Sequence, residues 1–193
     1  MNIGIDIDDT IANTQEFKLA YGVEYSMKKF NKIKNINANK EYAMDIFEWD
    51  METEKDFFDE YFTNKMIHIQ PKILAKDVIN KLKDEGHNIY FITARNDNLI
   101  KDSLDITKKW LDKNEIKYDE VYANTGEKEE VCKKLKIDLI IDNSFSICKK
   151  ASNNGINALL FHSLNNENTQ IEDNLIKRVY SWPEIYYHIQ NMI

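Results

Sequence analysis

The first ten residues contain four side chains that can do chemistry together. These are Asp6, Asp8, Asp9 and Thr10. They lie at or just beyond the end of an apolar run, Ile3–Ile7, which is typical of a buried strand. Carboxylates at the C-terminal end of such a strand lie where open α/β sheets bind ligands. Three neighbouring carboxylates stay ionised together only if a cation or hydrogen-bond donors offset their charge, so the pattern predicts a metal or phosphoryl site.

Three further polar groups occur where such a site would need them. Thr93 follows the apolar run Asn88–Ile92, and Asp142 follows Leu139–Ile141. Between them Lys128 opens a helical pattern after a turn that contains Gly126. Parallel strands end at the same edge of a sheet, so we expect an acidic, a hydroxyl and a cationic group to meet there.

Each of these residues also has a purely structural interpretation. The aspartates and Thr93 can be turn or strand-end residues, and Lys128 can be a solvated lysine that Lys133 or Lys134 replaces in the site. Arg95, one of only two arginines, can clamp a substrate phosphate through two hydrogen bonds or lie on the surface. The four histidines are scattered, and none is assigned to the site.

Five apolar runs alternate with helical patterns, which predicts an α/β fold with a parallel sheet of about five strands. The runs are Ile3–Ile7, Asn88–Thr93, Glu120–Ala123, Asp138–Asp142 and Ala158–Phe161. About eighty residues separate the first two runs, whereas a crossover needs roughly 30. Half of the 22 aromatic residues lie in segment 13–75. We therefore predict a core domain of residues 1–12 and 76–193 with a small helical cap, 13–75, inserted after the first strand. Most of the cap's aromatic residues are expected to form its own core.

The composition excludes several classes of protein. A net charge of −7 over 193 residues argues against a nucleic-acid polymer as partner. No segment has the roughly 18 apolar residues of a membrane span, and the first residues do not have the pattern of a signal peptide. Cys132 and Cys148 have no metal-type spacing and are expected to be reduced thiols in a cytoplasmic protein. The composition is compatible with a homodimer.

Taken together, these motifs resemble the haloacid dehalogenase (HAD) superfamily of phosphohydrolases. The four family motifs match Asp6-Ile-Asp8-Asp9-Thr10, Thr93, Lys128 and Asp142. The resemblance implies a three-layer Rossmann-like core with a C1-type helical cap. Three segments resemble a narrower branch, that of the 5′(3′)-deoxyribonucleotidase and cytosolic type C nucleotidase-like proteins. They are Phe91–Arg95, Ile137–Asn143 and Tyr180–Tyr186.

The resemblance also implies a role for each matching residue. Asp6 would be the nucleophile that forms an aspartyl-phosphate, and Asp8 would be the general acid and base. Residues i and i+2 of an extended segment face the same side, so both can reach one phosphorus atom. Thr93 and Lys128 would bind phosphate oxygens. Mg²⁺ would bind to Asp6, the main-chain carbonyl of Asp8 and Asp142.

Two positions depart from the family pattern. Asp9 stands where glycine is frequent, and it can be a substrate-binding residue, an outer ligand or a turn residue. Asn143 stands where a second acid is common, and an amide supplies no charge to a metal.

The predicted function is a Mg²⁺-dependent phosphomonoesterase, a 5′-nucleotidase acting on a (deoxy)nucleoside monophosphate. A phosphatase for sugar phosphates or other metabolites is the first alternative. A non-catalytic, regulatory phosphate-binding relative is the second, because the Asn143 amide would supply no charge to a metal and so would weaken its binding. A receiver-type signalling domain is disfavoured, since its acidic pair precedes a phospho-accepting aspartate on a later strand.

Overall fold

The computed structural model describes residues 1–125 and 127–192, and Gly126 of the predicted turn lies outside them. The strands are β1 (Asn2–Ile5), β2 (Asn88–Ile92), β3 (Glu120–Tyr122), β4 (Leu139–Asp142), β5 (Asn157–Phe161) and β6 (Ile176–Val179). The α-helices are α1 (Thr14–Phe30), α2 (Ala43–Phe47), α3 (Met51–Asp56), α4 (Ala75–Asp84), α5 (Ser103–Lys113), α6 (Lys128–Leu135), α7 (Phe145–Ser152) and α8 (Trp182–Gln190). A π-helical segment, Phe57–Phe62, and a 3₁₀ helix, Thr63–His68, follow α3.

The sheet is parallel throughout, in the order β3-β2-β1-β4-β5-β6. β1 lies between β2 and β4, with Ile5 opposite both Phe91 and Ile141. The chain order reverses direction at β1, and ligands bind at such a switch point, outside the carboxyl ends of the strands. The fold therefore directs the segment after Ile5 into that crevice.

The described residues form six strands, one more than the about five runs that the sequence predicts. The sixth, β6, has the sequence Ile-Lys-Arg-Val and pairs only with β5. Lys177 and Arg178 interrupt the apolar run at its centre. Charged residues are common on edge strands, where they discourage pairing with other chains. Because of these two charges β6 has no continuous apolar run, so the sequence pattern does not predict it.

Alternate residues along each strand enter two separate cores. Ile5, Phe91 and Ile141 pack in one core with residues of α4, α5 and α8. Ile140 and Leu160 pack in the other with residues of α6 and α7. Helices thus cover both faces of the sheet, and the predicted three-layer α/β architecture is confirmed.

The region between β1 and β2 contains a helical insert, defined here as residues 14–68. Its aromatic side chains pack on one another: the Tyr25 ring lies 5.2 Å from that of Trp49 and 5.4 Å from that of Phe57. Phe47 stacks on Trp49 at 4.6 Å. Gly22 lets α1 approach this cluster, since a Cβ there would come within 2.1 Å of the Phe47 ring. The aromatic cluster thus forms a core for the insert, as the sequence indicates. The domain bounds 13–75 and 76–193 stay predictions.

The closing helix, α8, begins at a capped N-terminus. The Ser181 hydroxyl accepts a hydrogen bond from the Glu184 amide, and the Glu184 carboxylate accepts one from the Tyr180 amide. This reciprocal pattern is a capping box one residue wider than usual. Both cysteines are free and buried. Within the described residues, none of the helices has the length and apolarity to cross a bilayer.

Candidate active site

The segment after β1 is a tight loop, residues 6–12, that we call the acid loop. The Ile7 carbonyl accepts hydrogen bonds from the amides of Thr10, Ile11 and Ala12 at 3.0–3.3 Å. Asp9 has a φ of +61°, a left-handed conformation that favours glycine. β1 ends at Ile5 rather than at Ile7, so the acidic side chains project from this loop and not from a continuous strand.

The structure brings Asp6, Lys128 and Asp142 together at the ends of β1, α6 and β4. The ammonium group of Lys128 lies 2.5 Å from Oδ1 of Asp6 and 2.8 Å from Oδ2 of Asp142. All three residues are buried, with exposures of 6%, 4% and 1% respectively. In contrast, Lys133 and Lys134 are exposed on α6, and Lys133 pairs with Glu130. Of the three lysines considered from the sequence, Lys128 is therefore the one that the structure places in the site.

Two buried carboxylates around one ammonium group leave an excess of negative charge. Burial is the largest influence on Asp6, and with Asp142 and Asp8 it outweighs Lys128 and raises the pKa of Asp6 to about 7. Burial opposes the charge on Lys128, but Asp142 and Asp6 outweigh it and raise the pKa of that lysine. A second cation close to Asp6 and Asp142 would offset the remaining repulsion.

The oxygen donors at this position suit a hard divalent cation. Within residues 1–125 and 127–192, no group of three or more His, Cys, Asp or Glu residues is placed to hold a metal. The predicted ligand set contains only two carboxylates, those of Asp6 and Asp142, with the main-chain carbonyl of Asp8 as third donor. Mg²⁺ commonly uses one or two carboxylates and keeps several waters, so the residues present fit it.

Thr93 directly follows β2, the neighbour of β1, and is 1% exposed. Its main-chain N–H donates a hydrogen bond to the Tyr122 carbonyl. Its hydroxyl oxygen accepts a 3.3 Å hydrogen bond from the main-chain N–H of Arg95. Among residues 1–125 and 127–192, no acceptor for the Thr93 hydroxyl proton is found. Thr93 therefore lies at the end of the strand next to the one that the acid loop follows.

Asp8 has different partners from Asp6. The Arg95 guanidinium donates from Nε to Oδ2 at 2.8 Å and from Nη2 to Oδ1 at 2.7 Å. The Thr14 hydroxyl donates to Oδ1 at 2.6 Å. Burial acts to raise the pKa of Asp8, but Arg95 and the hydroxyl outweigh it and lower that pKa to about 2. Asp8 is thus an anion held by three donors, and Arg95 contacts this aspartate.

Asp9 points toward the insert. Its Oδ1 accepts a 2.7 Å hydrogen bond from the amide of Gln15, in the first turn of α1. Burial raises the pKa of Asp9, and the Gln15 amide opposes that effect. Helix N-termini favour negative charge, so this bond compensates for an aspartate in a left-handed conformation. The departure from glycine has a structural reason, and a direct role in substrate binding stays a prediction.

Residues from the opposite end of the chain, which the sequence motifs do not predict, support the acid loop and its neighbour Asn143. The indole Nε1 of the fully buried Trp182 donates to the Thr10 carbonyl at 3.1 Å. The Asn166 amide donates to the Asn143 carbonyl at 2.8 Å, and Arg178 donates in turn to Asn166. The Ser-Trp-Pro-Glu motif is visible in the sequence, but only the fold shows which backbone group the tryptophan meets.

Asn143 lies next to the acid loop. The main-chain N–H of Asn143 donates to the Thr10 hydroxyl oxygen at 3.2 Å. That hydroxyl donates in turn to Oδ2 of Asp6 at 3.2 Å. The side-chain oxygen of Asn143 is 3.4 Å from the same hydroxyl. The residue therefore contributes to the hydrogen bonding around Asp6 but, as an amide, adds no charge.

Comparison with known proteins agrees with this geometry. The chain is 33% identical over 99% of its length to a Bacillus subtilis protein named "Putative nucleotidase YqfW", of which it covers 94%. A solved haloacid dehalogenase-like hydrolase of Streptococcus pneumoniae superposes with a TM-score of 0.68 at 14% identity, over 98% of both chains. The D,D-heptose 1,7-bisphosphate phosphatase of B. bronchiseptica, solved with magnesium and phosphate, gives 0.59 at 10% identity over both whole chains. The structures establish a haloacid dehalogenase-like fold. No protein-family model matches the chain.

Proposed function

We propose that this chain, which belongs to the family of the Bacillus subtilis "Putative nucleotidase YqfW", is a Mg²⁺-dependent phosphomonoesterase acting on a nucleoside monophosphate. The reaction class is supported by the side chains at the sheet edge. The nucleotide is supported by the name of that relative and by the sequence resemblance to the deoxyribonucleotidase branch.

The observation that carries the proposal is the arrangement of Asp6, Lys128 and Asp142. A phosphate monoester is a dianion, which a carboxylate nucleophile repels. Lys128 lies within 2.5 Å of Asp6 and can neutralise part of that charge at the point of attack. Fold stability alone does not require a buried site with two carboxylates and one ammonium, because apolar residues of similar volume are often as stable.

Asp6 is the nucleophile in the proposed reaction. One of its carboxylate oxygens forms a bond to phosphorus while the bond from phosphorus to the ester oxygen breaks. Asp8 is an anion in the free protein, so it takes up a proton from solvent as the substrate dianion binds beside it. It donates that proton to the departing oxygen and later takes one from the water that attacks the aspartyl-phosphate. That second step releases inorganic phosphate and restores Asp6.

Lys128 and Thr93 hold the non-bridging oxygens of the phosphoryl group in this proposal. The Lys128 ammonium group, which is paired with Asp6 and Asp142 in the free protein, and the Thr93 hydroxyl would donate to these oxygens from the edge of the sheet. Mg²⁺, held by Asp6, Asp142 and the Asp8 carbonyl, would supply Lewis-acid neutralisation of the phosphate charge.

The test is phosphate release from a panel of ribo- and deoxyribonucleoside monophosphates and sugar phosphates. Each ester is assayed with Mg²⁺ and with EDTA, using Asp6→Asn as the control. Mg²⁺-dependent release from one group of nucleotides, absent in the variant, would support the proposal. Release from sugar phosphates alone would keep the mechanism and reject the substrate. No release from any ester by folded protein would favour the regulatory alternative.

A further inference from the structure

We infer that Lys18, in the second turn of α1, is a substrate-binding residue whose ammonium group contacts the phosphate of the substrate, an inference that rests on the proposed function. α1 is the first helix of the insert and begins at Thr14, just after the acid loop. Lys18 belongs to none of the sequence motifs that mark the site, and only its position in the fold points to it.

The first turn of α1 directs Lys18 toward the acid loop. The Thr14 hydroxyl donates to Oδ1 of Asp8 at 2.6 Å, and the Gln15 amide donates to Oδ1 of Asp9 at 2.7 Å. Residues four apart on a helix lie on the same face with their Cβ atoms about 5–6 Å apart, so Lys18 lies next to Thr14. Burial acts most strongly to raise the pKa of both aspartates, and the charge of Lys18 opposes it in each case. The ammonium group is thus close to both carboxylates.

The two cations already described in the site are paired with carboxylates. Lys128 donates to Asp6 and Asp142, which occupies two of its three N–H groups. The Arg95 guanidinium donates to both carboxylate oxygens of Asp8. To bind a phosphate dianion, either cation would have to share its charge with a carboxylate that it already neutralises.

Lys18 has a different kind of partner. Its Nζ donates to the main-chain carbonyl of Glu41 at 2.5 Å, and within residues 1–125 and 127–192 it makes no ion pair. A carbonyl carries no net charge, so this bond leaves the positive charge of Lys18 unneutralised. Two of the three ammonium N–H groups are left for a ligand.

The contact with Glu41 holds the ammonium group in place. Gln15 fastens the same segment to α1, since its Nε2 donates to the carbonyls of Ala38 and Lys40, both at 2.8 Å. Segment 38–41 therefore lies along the start of α1, and its last carbonyl limits where the Lys18 side chain can go. A side chain that is already restrained loses less entropy when it binds a ligand.

The charges at the edge of the sheet show why a further cation is needed. The acid loop and β4 contribute four aspartates, whereas Lys128 and Arg95 contribute two positive charges. A bound Mg²⁺ would balance the difference when all four aspartates are ionised. The phosphate dianion then adds two negative charges, and the unpaired ammonium group of Lys18 offsets one of them.

The experiment is calorimetric titration of inorganic phosphate, in the presence of Mg²⁺, into the wild type and three variants. Lys18→Gln should weaken phosphate binding about tenfold or more, because a hydrogen bond to a charged group is lost. Lys18→Arg keeps the charge and should recover most of the affinity. Lys28→Gln, which removes an exposed lysine of the same helix that pairs with Glu24, is the matched control and should bind as the wild type does. Unchanged affinity in Lys18→Gln would overturn the inference.

An uncharged nucleoside separates the phosphate from the rest of the substrate. In the hydrolysis assay, Lys18→Gln should raise KM for the nucleoside monophosphate about tenfold and leave inhibition by the matching nucleoside unchanged. Weaker inhibition by the nucleoside with unchanged phosphate affinity would assign Lys18 to the sugar or the base. An equal loss for the nucleoside and for phosphate would assign it to the packing of segment 38–41. Either result would overturn the inference.

Lysine labelling of the wild type covers the case in which Lys18→Gln does not fold. Saturating phosphate with Mg²⁺ should slow reductive methylation of Lys18 at least about threefold and leave Lys28 unaffected, because a bound ligand protects by mass action. Equal rates at Lys18 with and without phosphate would contradict the inference. Calorimetry and labelling need no turnover. If the wild type hydrolyses no ester, the proposed function fails and these two measurements still judge Lys18, whereas a wild type that binds no phosphate would overturn both proposals.

Discussion

Replacing Asp6 by asparagine should stabilise the metal-free protein at pH 8. Asp6 is 6% exposed, and burial with its acidic neighbours raises its pKa from 3.8 to about 7. The unfolded chain releases this proton near pH 4, whereas the folded protein retains it. The contribution of Asp6 to stability is therefore most favourable below pH 4 and is lost as the pH rises toward 7.

The magnitude follows from that difference. At about 1.4 kcal/mol per pH unit, the interval between 3.8 and about 7 corresponds to about 4 kcal/mol at pH 8. The amide of asparagine replaces only part of the hydrogen bonding that the carboxylate makes with Lys128 and Thr10, so we expect roughly half of this, about 2 kcal/mol. For a domain of this size that is about 4–8 °C in Tm.

The assay is thermal unfolding of wild type and Asp6→Asn in EDTA at pH 5 and pH 8. Asp59→Asn, an exposed aspartate of the insert, is the matched control and should leave Tm unchanged at both values. The gain from Asp6→Asn should be larger at pH 8 than at pH 5. Mg²⁺ should raise the Tm of the wild type more than that of the variant. An equal gain at both pH values, or a loss at pH 8, would refute the electrostatic reasoning.

Three further predictions concern neighbouring residues. Lys128→Met should lower the free energy of unfolding by about 3–5 kcal/mol and kcat by at least about 10²-fold, because it leaves two buried carboxylates unpaired. Lys133→Met, on the exposed face of α6, is the control and should change the stability and kcat little. Denaturant unfolding measures the stability, and phosphate release measures kcat. Trp182→Phe keeps an aromatic side chain but loses the bond to the Thr10 carbonyl and leaves a cavity at a fully buried position, so it should cost about 2–4 kcal/mol and lower kcat. An unchanged kcat would show that the bond does not support the acid loop. Asn143→Asp adds a charge beside the site and should strengthen Mg²⁺ binding about tenfold by calorimetry, with equal affinity contradicting the expectation.

The sequence predicts the sheet well because its central strands are continuous apolar runs. β1, β2, β4 and β5 all appear within two residues of their predicted bounds. β6 has two charges at its centre, and an edge strand depends on tertiary pairing more than on its own pattern. The helical insert is visible as a long, aromatic-rich interval, but its π-helical segment has no pattern that the sequence reveals.

Within the candidate site, residue types at strand ends are predictable and side-chain partners are not. The positions of Asp6, Thr93, Lys128 and Asp142 follow from parallel topology. The partner of Arg95 is a residue 87 positions away, and Trp182 meets a carbonyl 172 positions away. Such contacts depend on how α5 and α8 pack, which no local spacing encodes.

The central claim is that Asp6 carries the phosphoryl group during turnover. The direct measurement is an acid quench of the Mg²⁺-loaded protein during turnover of a ³²P-labelled nucleoside monophosphate, followed by peptide mapping. We predict base-labile label on the peptide that contains Asp6, absent from Asp6→Asn and from samples in EDTA. Release of phosphate by the wild type with no label on Asp6, or label retained in Asp6→Asn, would contradict the claim.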